Sequence, residues 1–156
     1  MKKLVIISAI LFCIVSLSNA QDYNNAIGLR GGLSNGLTFK HFMGDKAAIE
    51  LIGTTRWKGL EVTGLYELHN GGLGVDGLTW FYGAGGHIGF WDGDYATWGT
   101  AGETYTVIGV DGILGLDFKF PKHPINLSLD WKPAFNIVGY SGFWADGGAL
   151  SIRYAF

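Results

Sequence analysis

Cysteine, proline and charge are all scarce in this 156-residue chain, which holds one cysteine, three prolines and only 15% Asp, Glu, Lys and Arg. With 48% hydrophobic and 15% aromatic residues alongside, so little charge excludes a disordered, solvating polypeptide and argues against an ordinary soluble enzyme. The lone thiol, Cys13, excludes an internal disulfide and a cysteine-based metal centre. No run of 18 consecutive apolar residues occurs after residue 20, which excludes a membrane-spanning helix from that part of the chain. Linkers, low-complexity tracts and repeats of about 20 to 50 residues are likewise missing, as expected of a single continuous domain. Glycine is what abounds. Its 26 residues are more than double ordinary usage, with no collagen period, and such glycine in an aromatic-rich, proline-poor chain points to an all-β protein with tight bends.

Residues 1–20 read as a secretory leader. Lys2 and Lys3 form its charged start, Leu4 to Leu17 its apolar stretch, and Ser18-Asn19-Ala20 a small-x-small cleavage site, so the mature domain is expected to span 21–156. The apolar stretch is about 14 residues, short of the roughly 20 needed to cross hydrocarbon. Cleavage would remove Cys13 and leave 9 basic against 13 acidic residues, a formal charge of −4 that speaks against a nucleic-acid partner.

Beyond the leader the hydrophobic period is two, the signature of strands. From Ile125 to Val138 the odd positions, Ile125, Leu127, Leu129, Trp131, Pro133, Phe135 and Ile137, are apolar, while Asn126, Ser128, Asp130, Lys132 and Asn136 lie opposite. Leu150, Ile152, Tyr154 and Phe156 oppose Ser151 and Arg153 in the same way. With 78–91, 105–120 and shorter segments near 26–33, 37–42, 47–55 and 59–68, eight strands are expected, separated by turn chemistry such as Ser34-Asn35-Gly36 and Gly44-Asp45-Lys46.

Eight antiparallel strands can close as a soluble lipocalin-like barrel, apolar inside, or as a membrane barrel, apolar outside. The polar face carries many glycines and the apolar face bulky rings near strand ends, which suits aromatic girdles at two bilayer interfaces better than a crowded lumen. The fold class expected is therefore an all-β, eight-stranded, antiparallel up-and-down transmembrane β-barrel. The alternating segments and a final strand, Leu150-Ser151-Ile152-Arg153-Tyr154-Ala155-Phe156, make residues 25–156 resemble the small outer-membrane β-barrel proteins, similar to the transmembrane domain of outer-membrane protein A and to outer-membrane protein X. The resemblance implies an outer-membrane location with lipids as partners. It also implies that Tyr154 and Phe156 act as an assembly signal for the barrel assembly machinery. An even strand number puts both termini on the periplasmic side, with 34–36, 55–59, 92–104 and 139–147 facing outward.

Loops 92–104 and 139–147 are rich in aromatic residues and glycine, as in Trp91-Asp92-Gly93-Asp94-Tyr95 and Tyr140-Ser141-Gly142-Phe143-Trp144. They read either as a recognition surface for an extracellular ligand or as interface anchors. Asp92, Asp94 and Glu103 match part of a calcium loop, but Thr97 stands where its sharp turn requires glycine, so no metal is expected. His87 faces inward near Asp111 and Glu61, with Ser128 a possible hydroxyl. Unlike the lipid A deacylase and palmitoyltransferase barrels, the chain shows no nucleophile, base and orienter segment, and neither catalysis nor a cofactor is expected. His41, His69 and His123 read as solvated.

The inward face should carry a charge network of Arg30, Lys40, Glu50, Glu61, Glu67, His87, Asp111, Asp117, Lys119, Asp130, Lys132 and Arg153. Buried charges need partners, so Lys40 is expected to pair with Glu50, and Asp130 with Arg153 or Lys132. An interior this narrow argues against a wide pore. The function expected is a non-enzymatic structural or surface-interaction role in the cell envelope. The alternatives are a small porin-like channel or a carrier of small apolar ligands, using a cavity left by Gly83, Gly85, Gly89, Gly109 and Gly115 beside His87 and Phe81, and then a lipid-modifying enzyme.

Overall fold

A computed structural model describes residues 23–139, 141–145 and 147–156; the expected leader at 1–20 lies outside them. The chain is all-β, and no helix occurs among the described residues. Its strands are β1 (Asn25–Gly32), β2 (Asn35–Phe42), β3 (Ala47–Arg56), β4 (Gly59–Asn70), β5 (Leu78–Asp92), β6 (Thr104–Lys119), β7 (Ile125–Trp131), β8 (Ala134–Val138), β9 (Gly142–Trp144) and β10 (Gly148–Ala155). From β1 through β7 consecutive strands pair antiparallel, β8 pairs with β6 and β9, and β10 pairs with β7. β10 also pairs with β1, from Ala26 opposite Ala155 to Gly32 opposite Ala149, which closes the sheet. The seam ends in two backbone bonds, Asn25 N–H to Phe156 O at 3.0 Å and Phe156 N–H to Asn25 O at 2.8 Å.

The result is a closed eight-stranded antiparallel barrel, because two of its staves are each made of two segments. β7 and β8 both pair with β6 in one register, Leu114 opposite Trp131 and Asp111 opposite Ala134, as far as Gly109 opposite Asn136, beyond which a bulge sets Ile108 opposite Val138. The expected continuous strand over 125–138 is interrupted at Lys132–Pro133, since proline brings no N–H to the ladder, although Gly112 N–H still donates to Pro133 O at 2.9 Å. The second divided stave is β9 with β10. Ala134 faces Trp144, whereas Trp131 faces Gly148, so the chain takes up one extra residue between these pairings. The segment 139–147, expected to be wholly loop, therefore extends the barrel wall through β9. Its Gly-rich sequence hid a three-residue strand from any periodicity argument.

Turns are tighter than expected at the end away from the termini, called here the loop end. Asn35 and Gly36 belong to β2, leaving only Leu33 and Ser34 between β1 and β2. Between β3 and β4 the turn is Trp57-Lys58 alone, with φ of 50° and 55°. Such a two-residue hairpin turn favours Asn-Gly, and two side-chain-bearing residues in the left-handed region hold strain.

Burial is inside-out by the standard of a soluble protein. Arg153, Lys40, Glu50, Glu67 and Asn126 are among the largest fully buried side chains, while Leu129 is 58% exposed, Leu150 57% and Leu29 62%. Outward aromatics gather toward the two ends, with Tyr66, Trp80, Tyr82 and Phe156 toward the termini and Phe90, Phe135 and Phe143 toward the loops.

Candidate functional site

The inward face of β4 gives the order of layers along the lumen. From the loop end it presents Glu61, Thr63, Leu65, Glu67 and His69, with Thr63, Leu65, Glu67 and His69 buried. Leu65 meets Ile52, Phe81 and Ile113 in a buried apolar cluster. This layer separates two groups of charged side chains, and a third pair stands on the β1 and β7 side.

Toward the termini, Lys40 Nζ lies 3.2 Å from Glu50, 2.8 Å from Glu67 and 3.7 Å from Asp117. Arg153 donates through Nη2 to Glu50 at 2.5 Å, through Nη1 to Ser128 Oγ at 2.7 Å and Asn126 Oδ1 at 3.1 Å, and through Nε to Thr38 Oγ1 at 3.2 Å. Thr38 donates to Glu50, and Asn126 Nδ2 donates to Asp117 at 2.5 Å. Some of these contacts join register partners on neighbouring strands, Lys40 with Glu50 and Arg153 with Asn126, while Arg153 to Glu50 reaches from β10 to β3 and fills the lumen with side chain. Lys40 also sits 4.3 Å above the Phe81 ring, and the rings of Phe81 and His69 stack at 4.8 Å.

His69 corrects an expectation. It was read as solvated beside a turn, but β4 runs on to Asn70, and at two residues from Glu67 the imidazole points inward, 3.0 Å from the Glu67 carboxylate. Lys119 is a second correction: it lies at the rim over the Tyr23 ring, 4.6 Å from its centroid, rather than among the carboxylates. Burial, reinforced by Asp117, pushes the Tyr23 hydroxyl above its ordinary range. The expected Lys40–Glu50 pair is present. Asp130, expected on Arg153 or Lys132, is instead held by Arg30 through two bonds of 2.6 and 2.5 Å. Barrel strands are tilted, so the partner that crosses the lumen differs from the one nearest along the ladder.

On the loop side of the apolar layer, Lys132 Nζ bonds Asp111 at 2.6 Å and Glu61 at 3.3 Å. His87 sits between Asp111, 2.7 Å from Nδ1, and the Asn136 side-chain oxygen, 3.0 Å from Nε2. Both ring nitrogens are thus engaged, and Ser128, weighed as a possible hydroxyl, belongs to Arg153. The inward glycines do not leave the cavity expected beside His87 and Phe81. Gly109 and Gly115 seat rings, since a Cβ on Gly109 would lie 2.5 Å from His87 Cε1 and one on Gly115 2.7 Å from the Phe81 ring, while Gly83 and Gly85 lie against the β4 backbone.

Above Lys132, Glu61 and Asn136 the barrel opens into a cavity of about 90 Å³, walled by Trp57, Trp91, Trp98 and Trp144. Four of the chain's six tryptophans therefore converge on one mouth. Each arrives from a different element: Trp57 from the strained turn, Trp91 from the end of β5, Trp98 from the 93–103 loop and Trp144 from β9. Trp57 and Trp144 meet at a tilt of 57° with centroids 6.0 Å apart, and Trp91 meets Trp98 edge-on at 5.9 Å. Trp91 lies against Gly59 and Gly89, where a Cβ would come within 2.2 and 2.1 Å of its ring. Arg56 stacks its guanidinium 4.0 Å over Trp57. Sequence reasoning placed aromatic residues in these loops but missed that they converge. The available signal was that Trp91 shares parity with His87 and must point inward.

The acidic residues of the 92–104 loop brace the loop itself. Asp92 accepts from Asp94 N–H at 3.0 Å, Asp94 from Gly102 N–H at 2.7 Å, and Glu103 from the Tyr105 hydroxyl at 2.6 Å. No cluster of three or more metal-binding side chains occurs among the described residues.

No protein-family model matches the chain, and no curated protein matches it.

Proposed function

We infer that this chain is an outer-membrane β-barrel of a Gram-negative-type envelope, exported by a cleaved leader over 1–20, with a non-enzymatic structural or surface-interaction role. The observation that carries this reading is the inverted burial: charged side chains such as Arg153 and Lys40 fill the inside, while a girdle including Leu29, Leu129, Leu150 and Ile152 is exposed outside. In water so large an apolar belt would drive aggregation, whereas in a bilayer it is the required surface. The end aromatics suit the two interfaces, and the long 93–103 connection between β5 and β6 suits the outer side. Phe156, 57% exposed and stacked on Tyr154 with centroids 6.1 Å apart, suits recognition by the barrel assembly machinery. The filled lumen weighs against an open channel. A lipid-modifying enzyme is disfavoured because both nitrogens of His87 are already engaged by Asp111 and Asn136.

The test is single-cysteine labelling, which is clean because a cleaved chain keeps no native thiol. In intact cells a membrane-impermeant maleimide should label Asp94→Cys at the loop end and reach Asp45→Cys in the β2–β3 turn only after permeabilisation. Recovery of the folded chain as a detergent-free soluble protein, or reversed labelling, would overturn the assignment.

A further inference from the structure

We propose that the tryptophan-walled mouth is a binding site for a single sugar ring, such as the exposed terminal unit of a glycan. The proposal deepens the surface-interaction reading, since only the orientation inferred above would open this mouth to the outside. Size comes first. About 90 Å³ holds several waters, at roughly 10 to 15 Å³ each, and so admits one small ring rather than a chain.

Chemistry then selects the ring. The walls are indole rings, and the floor offers mixed hydrogen-bonding groups: Glu61 accepts, Lys132 donates, and Asn136 and Thr54 do both. An apolar ligand would desolvate these groups without replacing their partners, which costs affinity. A quaternary ammonium, the usual guest of an aromatic cage, would meet the Lys132 ammonium at the floor, beside a Glu61 carboxylate that already bonds Lys132 at 3.3 Å. A neutral sugar satisfies both requirements, because its C–H face lies on indole while its hydroxyls donate and accept around the edge.

Backbone geometry supports a built site. Trp57 is presented by a turn in which it and Lys58 both have positive φ, and strain of this kind concentrates at ligand clamps. Trp91 is seated against two glycines, Gly59 and Gly89, whose replacement by any larger residue would displace the ring.

The experiment titrates the folded barrel in detergent with a panel of methyl glycosides of hexoses and N-acetylhexosamines. Tryptophan fluorescence and saturation-transfer NMR report binding, and choline and indole serve as competing chemistries. The expected result is saturable binding of at least one glycoside. Trp144→Ala should weaken it by about tenfold or more, as loss of a central aromatic contact does. Glu61→Gln should also weaken it, while Trp80→Phe on the outer surface should leave it unchanged. Should Trp144→Ala fail to fold, judged by loss of heat-modifiable migration, Glu61→Gln decides alone. Binding by none of the glycosides, binding only of choline or indole, or equal glycoside binding by wild type and the mouth variants would overturn the proposal. Neither membrane nor orientation enters this measurement, so its failure is distinguishable from failure of the labelling test.

Discussion

Arg30 and Asp130 offer the cleanest energetic test of the filled lumen. The two side chains are 2% and 0% exposed, joined by a two-pronged contact of 2.6 and 2.5 Å, and each takes no other described side-chain partner. Removing one partner leaves a desolvated charge uncompensated, so Arg30→Met and Asp130→Leu should each destabilise the barrel by about 3 to 5 kcal/mol. Losses from independent sites would add to roughly twice that figure. The double variant leaves no orphan charge and fills the space with apolar volume. It should therefore lie close to wild type, somewhere between a small loss and a gain of about 1 to 4 kcal/mol. The assay is reversible urea unfolding in lipid vesicles, followed by tryptophan fluorescence and by heat-modifiable migration, with slopes compared so that midpoint shifts can be read as stability. Additive losses in the double variant would refute the pairing, and single variants indistinguishable from wild type would refute burial of the charges.

Further outcomes follow from the same geometry. Leu129→Arg on the exposed face should cost about 2 to 4 kcal/mol in lipid if the girdle sits in hydrocarbon, whereas Ser128→Ala, which removes one acceptor for Arg153, should cost nearer 1 kcal/mol by the same unfolding assay. Deleting Phe156 should reduce outer-membrane assembly and leave leader cleavage intact, as fractionation and immunoblotting would show; unchanged folded-barrel levels would remove its role as an assembly signal. Replacing Trp57-Lys58 with Asn-Gly should stabilise the hairpin by about 1 kcal/mol or more by relieving positive-φ strain. The same change should weaken any ligand at the mouth, and a destabilised variant would show that the turn is not strained.

Much of the architecture was legible because strand parity is a local property. Arg30, Glu50, Asp111, Asp130 and Arg153 could be placed inside from neighbours one or two residues away. Who meets whom across the lumen was not legible, because Arg30 reaches Asp130 at a separation of 100 residues and Arg153 reaches Glu50 at 103. Those meetings depend on strand tilt and stagger, which no local pattern encodes. His69 was misjudged because its proximity to a turn outweighed its shared parity with Glu67. The convergence at the aromatic mouth was not legible, because parity says which way Trp91 points but not that Trp57, Trp98 and Trp144 meet it.

The buried charges also bear on why one register is chosen. A one-residue slip of β10 against β1 and β7 would turn Arg153 outward and bring Leu150 and Ile152 into the lumen, since side chains alternate strictly along a strand. Such a slip would also strip Glu50 of Arg153 and leave Asp117 with fewer cations nearby. The network thus penalises wrong registers more than it stabilises the right one, as buried polar groups do in some other folds. The Arg30→Met, Asp130→Leu double variant separates these two roles, because it should regain stability while losing a discriminating pair between β1 and β7. If the charges select register, this variant should refold with wild-type-like midpoint yet populate a second species, visible as doubled backbone NMR peaks for β1 and β10 and a split heat-modifiable band. One sharp set of peaks from the double variant would show that the girdle and the turns alone dictate the register.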